Sequence, residues 1–240
     1  MEGKWPIIDA CAERGCPLCR CLLAESRRYL QALLHEGVTD VETRRRLRLA
    51  WGFCNWHTWM LADIAGSAFG AAIIYDDLIT RLLRRTGDPG HGARPTGWLG
   101  SLRGRRRRIT LADLWKRRTP CSACVDAAAT ETRHLDTLLA FVDDEALRAA
   151  YALSDGLCAP HLVQAVERGS ESADALVTRT RQAWARIGRD LGAFVGKHDH
   201  RHRQPFTEAE AAACARALEM LAGAPGVFGH VRPSAAAPPR

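Results

Sequence analysis

The sequence predicts an all-α protein that contains two related helical modules. Alanine, leucine, arginine and glutamate dominate it, and runs of β-branched residues are scarce. Leucines recur at helical spacing near the amino terminus, at positions Leu18, Leu22, Leu30, Leu33 and Leu34. No alternating strand pattern of useful length is visible, and 240 residues of which 47% are apolar are enough to bury a hydrophobic core.

An internal repeat is the most informative feature of the chain. Each copy carries a C-x2-C pair followed, after 34 or 33 intervening residues, by a C-x2-H pair. The first copy supplies Cys16, Cys19, Cys54 and His57, and the second copy supplies Cys121, Cys124, Cys158 and His161. Glycines precede both C-x2-H pairs, so the alignment extends beyond the cysteines.

Helix geometry explains the gap between the pairs. A helix from Arg20 to Glu36 would extend about 25 Å, and one from Asp40 to Phe53 would return about 21 Å. Val125 to Phe141 and Glu145 to Asp155 would do the same in the second copy. We therefore expect each copy to be an antiparallel hairpin that brings its own C-x2-C and C-x2-H pairs together.

Capping sequences mark two further helix starts. Thr39 and Glu42 have the capping-box spacing before the first return helix. Thr207 and Glu210 repeat it before a last helix, predicted from Ala209 to Leu221.

Three thiolates and one imidazole in each hairpin form the donor set of a closed structural zinc site. The sequence thus predicts two zinc ions as cofactors.

Buried core cysteines are the simplest alternative. A thioredoxin-like redox pair would need a βαβ context, and haem attachment would need histidine where Arg20 and Val125 stand. An iron–sulfur cluster stays open but is less favoured, because no ferredoxin-like spacing appears.

Three cysteines, Cys11, Cys21 and Cys214, have no counterpart in the repeat. We expect ordinary thiols at these positions. Cys21 is an alternative ligand because it stands two residues after Cys19.

Composition divides the chain into five segments. These are a first module (1–85), a Gly/Pro- and Arg-rich linker with a short helix (86–118), a second module (119–196), a His-rich junction with the last helix (197–224), and a tail expected to be disordered (225–240).

The net charge of +7 is concentrated in the linker. Residues 101–118 hold eight basic residues and one acid, whereas the rest of the chain is balanced. Nucleic acid is therefore a candidate partner, with Arg105, Arg106, Arg107 and Arg108 as its contacts. A solvated basic linker without a partner is the alternative.

The junction K-H-D-H-R forms a second polar cluster, in which His198, Asp199 and Arg201 could bind an anion or a metal, or orient a general base. A solvated loop gives the same pattern. The position of this cluster just before a capped helix is the only other sign that it has a function.

Targeting and membrane segments are not expected. Met1 to Ala10 offers no apolar core of a signal peptide, and Leu61 to Tyr75, which contains Asp63, is too short to cross a bilayer. We therefore expect reduced cysteines and a cytoplasmic location, which excludes a secreted disulfide scaffold.

The motifs together resemble an uncharacterised prokaryotic family, the domain of unknown function 6062. The resemblance rests on C-P-L-C-R at 16–20, G-F-C-x-x-H at 52–57, G-L-C-x-x-H at 156–161, and K-H-D-H-R before a helix ending A-L-E-M-L-A-G. Family members tend to carry K-H-D-Y-R, so His198, Asp199 and Arg201 match and His200 departs. The resemblance supports the fold and motif boundaries, from about Cys16 to Gly223, and implies no activity.

The sequence favours a structural-zinc adaptor that binds a protein partner of unknown identity, or nucleic acid through the linker. A metal-dependent enzyme using His198 and Asp199, or an open metal position, is the second hypothesis. No nucleophile elbow, phosphate loop or metalloprotease helix supports catalysis. A thiol redox sensor is the third.

Overall fold

The computed structural model describes residues 3–86, 110–198 and 204–228. In these ranges the chain is helical and contains no strand, which confirms the all-α class. The α-helices are α1 (Trp5–Cys11), α2 (Pro17–Ala32), α3 (Val41–Ala50), α4 (Asn55–Ala62), α5 (Ala68–Thr86), α6 (Leu111–Lys116), α7 (Ser122–Ala140), α8 (Glu145–Leu153), α9 (Ala159–Glu167), α10 (Glu171–Lys197) and α11 (Glu208–Ala222), with a π-helical turn (Leu33–Gly37) after α2.

Two helix starts test the predicted capping boxes. At α11 the box is confirmed, because the Thr207 hydroxyl accepts from the Glu210 amide and the Glu210 carboxylate accepts from the Thr207 amide. At α3 the prediction is wrong. Asp40, not Thr39, has the extended cap conformation and accepts from the Thr43 amide at 2.7 Å.

The chain divides into two compact units. Unit 1 comprises Met1–Ser26 and Asp126–Arg240, and unit 2 comprises Arg27–Val125. The boundaries fall inside α2 and α7. Each unit therefore holds one C-x2-C pair from one copy of the repeat and one C-x2-H pair from the other.

Unit 1 is organised around α10, a helix of 27 residues that packs against α8, α9 and α11. Its apolar face buries Leu176, Ala183 and Ile187. Arg216 of α11 donates to Asp155 in the turn after α8 and to Asp190 on α10, so an ion network joins these three segments. Burial of this face fixes the segment from which Cys158 and His161 project.

Unit 2 has its own core between α3, α4 and α5. Leu47, Ile74 and Leu78 are buried together, with Tyr75 packed against them. A second cluster joins Leu30, Leu61 and Ile64 to Ala123, which lies within the C-x2-C pair of α7. This cluster places that pair beside α4.

No helix in the described ranges has both the length and the apolar character needed to traverse a lipid bilayer.

Candidate metal centres

The eight repeat cysteines and histidines form two groups of four, each of which could hold a metal ion. We call Cys16, Cys19, Cys158 and His161 site A, and Cys54, His57, Cys121 and Cys124 site B. In each group the four donor atoms lie within 4.8 Å of one another. Site A belongs to unit 1 and site B to unit 2.

This grouping corrects one expectation. The sequence predicted that each copy would close its own site, but each site takes its C-x2-C pair from one copy and its C-x2-H pair from the other. The return helices are too short for the predicted closure. Helix α2 spans about 24 Å and α3 about 15 Å, while α7 spans about 28 Å and α8 about 14 Å.

Matching backbone turns build both C-x2-H pairs. Gly52 and Gly156 have positive φ angles of 92° and 74°, in the region that favours glycine. Cys54 and Cys158 then adopt nearly the same extended conformation as the N-caps of α4 and α9. Each histidine stands one helical turn after its cysteine, so that both side chains face one point.

In site A the His161 Nδ1 atom faces three sulfurs. It lies 3.4 Å from Cys16 Sγ, 3.5 Å from Cys19 Sγ and 3.2 Å from Cys158 Sγ. The sulfurs of Cys19 and Cys158 are 3.8 Å apart. All four side chains are at most 2% exposed, so solvent does not reach these donors.

The other nitrogen of His161 faces a carboxylate. Nε2 lies 3.0 Å from Glu131 Oε1 on α7. Burial by itself lowers the pKa of His161, but hydrogen bonds with Cys158, Cys16 and Glu131 raise it to about 12. With a metal at Nδ1, Glu131 would hold the proton at Nε2 and fix the ring orientation.

A carboxy-terminal segment covers site A. The Ala224 amide donates to Cys19 Sγ at 3.4 Å, and the Phe228 ring meets the His161 ring edge-on at 5.0 Å. Gly223 has a φ of 79°, and a Cβ there would lie 2.6 Å from Phe228. The turn after α11 therefore needs glycine to seat Phe228 over the site.

Site B has the same donors in a more open setting. His57 Nδ1 lies 3.2 Å from Cys54 Sγ, 3.7 Å from Cys121 Sγ and 3.4 Å from Cys124 Sγ. The three cysteines are only partly buried, although His57 is fully buried against the Trp56 ring at 4.3 Å.

Among the described residues, no carboxylate makes the corresponding contact in site B. The Nε2 atom of His57 is buried and has no hydrogen-bond partner within the described ranges. In the register of the repeat, Ser26 stands where the second copy has Glu131. The two histidines are therefore held differently, although their donor sets are identical.

The electrostatics of site A show why these donors suit a cation. Burial opposes ionisation, yet hydrogen bonds from Cys158, Cys19 and His161 hold the pKa of Cys16 well below its usual range. Hydrogen bonds with Cys16 and Cys19, together with burial, raise the pKa of Cys158. A metal ion bound here would stabilise the thiolate form of all three cysteines. The donor set fits a four-coordinate metal.

Site B shows the same division of charge. Hydrogen bonds with Cys121 and Cys124 lower the pKa of Cys54, whereas hydrogen bonds with Cys121 and Cys54 raise the pKa of Cys124. Burial lowers the pKa of His57, but hydrogen bonds with Cys121 and Cys54 raise it to about 9.

The unmatched cysteines lie outside both groups. Cys21 donates to the Pro6 carbonyl at 3.4 Å, and burial raises the pKa of the Cys21 and Cys11 thiols to about 12. Cys214 is exposed. None of the three belongs to site A or site B.

The polar junction is described only in part. His198 lies against Phe194 and Phe206, and its Nδ1 donates to the Phe194 carbonyl at 2.9 Å. Asp199 and Arg201 lie outside the described residues, as do Arg105, Arg106, Arg107 and Arg108.

Sequence reasoning missed Glu131, Ala224 and Phe228. Glu131 is one of several acids on a helix surface, and its role depends on which histidine packs beside it. The amide of Ala224 carries no sequence signal. In that segment the sequence indicated only the end of the last helix, through Gly223 and Pro225.

Comparison with known proteins agrees with the motif pattern. The model of a family of unknown function, DUF6062, matches residues 4–225. No curated protein and no solved structure shows significant similarity to the chain. The family match covers 222 of the 240 residues and includes every donor of sites A and B. The chain therefore belongs to the family of unknown function DUF6062.

Proposed function

We propose that the protein is a structural-zinc helical adaptor that holds one zinc ion in site A and one in site B. The observation that carries the proposal is that each site gathers three sulfurs and one imidazole nitrogen within 4.8 Å. Four protein donors complete the tetrahedral set of a structural zinc ion, whereas catalytic zinc keeps one position for water or substrate.

The distances support a single ion in each site. Zinc bonds of about 2.3 Å to sulfur and about 2.0 Å to nitrogen, in tetrahedral geometry, place two sulfurs about 3.8 Å apart and sulfur about 3.5 Å from nitrogen. The Cys19 and Cys158 sulfurs are 3.8 Å apart, and the sulfur–nitrogen distances run from 3.2 to 3.7 Å. An iron–sulfur cluster would hold the ligands around several metal atoms and spread them further.

Zinc in these sites would stabilise the fold directly. Site A joins residues separated by about 140 positions, and site B joins residues separated by about 65. An unfolded chain does not present such donors together, so the binding free energy of the metal becomes folding free energy.

Elemental analysis of the untagged protein tests the assignment. We expect about two zinc ions per chain, and we expect a chelator to lower the melting temperature measured by circular dichroism. The Cys214→Ser variant is the matched control because Cys214 is exposed and outside both sites, so it should keep both ions. Iron in place of zinc, or no metal, would refute the proposal.

At site A a structural ion is favoured over a catalytic one because the site is sealed. Its donors are at most 2% exposed, and Phe228 and Ala224 cover them, so a substrate has no path to the ion. For His198, the contacts with two phenylalanine rings support a packing role rather than catalysis with Asp199. The partner we propose is another protein.

The thiol-sensor hypothesis gives a different experimental result. A sensor would form a reversible disulfide between Cys16 and Cys19 under mild oxidant, and mass spectrometry would detect the loss of two hydrogens. Zinc-bound thiolates in a reducing cytoplasm, where we place the protein, would stay reduced.

Nucleic acid is a second candidate partner, favoured by the concentration of charge in residues 101–118. Binding through phosphates would weaken steeply with added salt. Replacing Arg105, Arg106, Arg107 and Arg108 with alanine should abolish it, and unchanged DNA and RNA binding would remove this candidate.

A further inference from the structure

An arginine-lined pocket lies in unit 2, apart from the four donors of site B. Its volume is about 400 Å³, and residues of α3, α5 and α6 line it. Five arginines and one tryptophan supply its chemistry: Arg45, Arg48, Arg81, Arg85, Arg117 and Trp51. No acidic residue lines it in the described part of the chain.

Nearby carboxylates neutralise only some of these charges. Asp77 accepts two hydrogen bonds from Arg48, at 2.7 and 3.1 Å, and also lies 3.6 Å from Arg81. Glu42 accepts two bonds from Arg45. Nothing in the described ranges forms an ion pair with Arg85 or Arg117. The pocket therefore keeps an excess of positive charge, which favours an anionic ligand.

Trp51 occupies a backbone position that favours glycine. Its φ of 57° and ψ of 44° place it in the left-handed region, and it is the only non-glycine residue with positive φ among the described residues. A bulky side chain there is strained, and such strain clusters at functional sites. The Arg85 guanidinium lies 5.9 Å from the centre of the Trp51 ring. The strained turn thus holds a flat aromatic surface beside the Arg85 guanidinium.

We propose that this pocket binds a nucleoside phosphate. Guanidinium groups match phosphate oxygens in charge and in bidentate geometry, and an indole stacks on any nucleobase. The pocket volume falls in the range of small-molecule sites. The ligand is either a free nucleotide or one nucleotide of a single-stranded nucleic acid, because both present the same phosphate and ring.

This pocket is independent of the metal assignment and of the linker. None of its lining residues is a donor of site A or site B, and none belongs to Arg105, Arg106, Arg107 and Arg108. Failure of either earlier proposal would therefore leave this one standing, and its own failure would leave the metal sites intact.

Calorimetric titration of the full-length protein as purified tests the proposal with three probes: adenosine monophosphate, inorganic phosphate and a ten-residue oligodeoxyadenylate. We expect adenosine monophosphate to bind about tenfold more tightly than phosphate, because stacking on Trp51 adds to the arginine contacts. Tighter binding of the oligonucleotide than of the mononucleotide identifies nucleic acid as the source, and the reverse order identifies a free nucleotide.

Two variants locate the binding. Changing Arg85→Gln together with Arg117→Gln should weaken nucleotide binding at least tenfold. The control pair Arg46→Gln and Arg84→Gln removes the same charge from exposed positions of α3 and α5 outside the pocket, and should change the Kd less than twofold.

The Trp51→Gly variant separates stacking from folding. Glycine accepts the backbone angles of this turn, so the protein should keep its metal content and its melting temperature. Nucleotide affinity should fall to that of inorganic phosphate, whose own binding should not change.

Equal weakening by the pocket pair and the control pair, or no binding of any probe at millimolar concentration, would overturn the proposal.

Discussion

Cys16 Sγ lies 3.4 Å from His161 Nδ1, although 145 residues separate them in the sequence. The histidine of its own copy, His57, instead faces Cys121 and Cys124. Each candidate metal centre thus needs both copies of the repeat. A fragment limited to 1–85 would contain four donors of the right types that belong to two different sites.

Double substitutions should reveal this crossed grouping in the metal content. Cys16→Ser combined with His161→Ala damages only site A, so we expect about one zinc ion per chain. Cys16→Ser combined with His57→Ala damages both sites and should leave none. Elemental analysis of folded protein measures the difference, and closure within each copy would reverse the two results.

The two sites should release metal at different rates. The sulfurs of site B are partly exposed, whereas those of site A are buried beneath Ala224 and Phe228. A chromophoric zinc chelator should therefore show a fast and a slow phase. Cys121→Ser should remove the fast phase and Cys16→Ser the slow one. A single phase, or the opposite assignment, would contradict the structural difference between the sites.

Glu131→Gln should weaken metal binding at site A alone. The amide no longer carries the charge that holds the proton on His161 Nε2, and loss of such a partner typically reduces metal affinity by about 10–100-fold. Competition with a chelator of known affinity measures the change. The control Glu167→Gln alters an exposed acid and should have no effect. Equal weakening at site B would show that Glu131 acts through general stability.

Gly156→Ala should destabilise the protein by about 1–3 kcal/mol. The φ of 74° is unfavourable for alanine, and its Cβ would lie 3.2 Å from Ala183 Cβ and 3.3 Å from Thr180 Cα. Urea unfolding of the metal-loaded protein gives the free energy. Gly188→Ala is the control because it lies within α10 with open space around it, so it should raise stability by up to about 1 kcal/mol. Similar losses at both positions would argue against a special role for the turn.

Local chemistry made much of the fold predictable. The capping box of Thr207 and Glu210 acts within one helical turn, so its spacing alone located the start of α11. The α3 start was misassigned because Thr39 and Asp40 are adjacent cap formers, and only the backbone conformation selects between them.

The sequence by itself determined the helical class and the eight candidate donor residues, because periodicity, caps and donor spacing act over a few residues. Tertiary structure decided which candidate donors lie together. Helices α3 and α8 are shorter than α2 and α7, and each C-x2-H pair lies beside the other copy's C-x2-C pair. Tertiary structure also placed Glu131 and Phe228 beside His161. These contacts join residues far apart in the sequence, so no local sequence pattern predicts them.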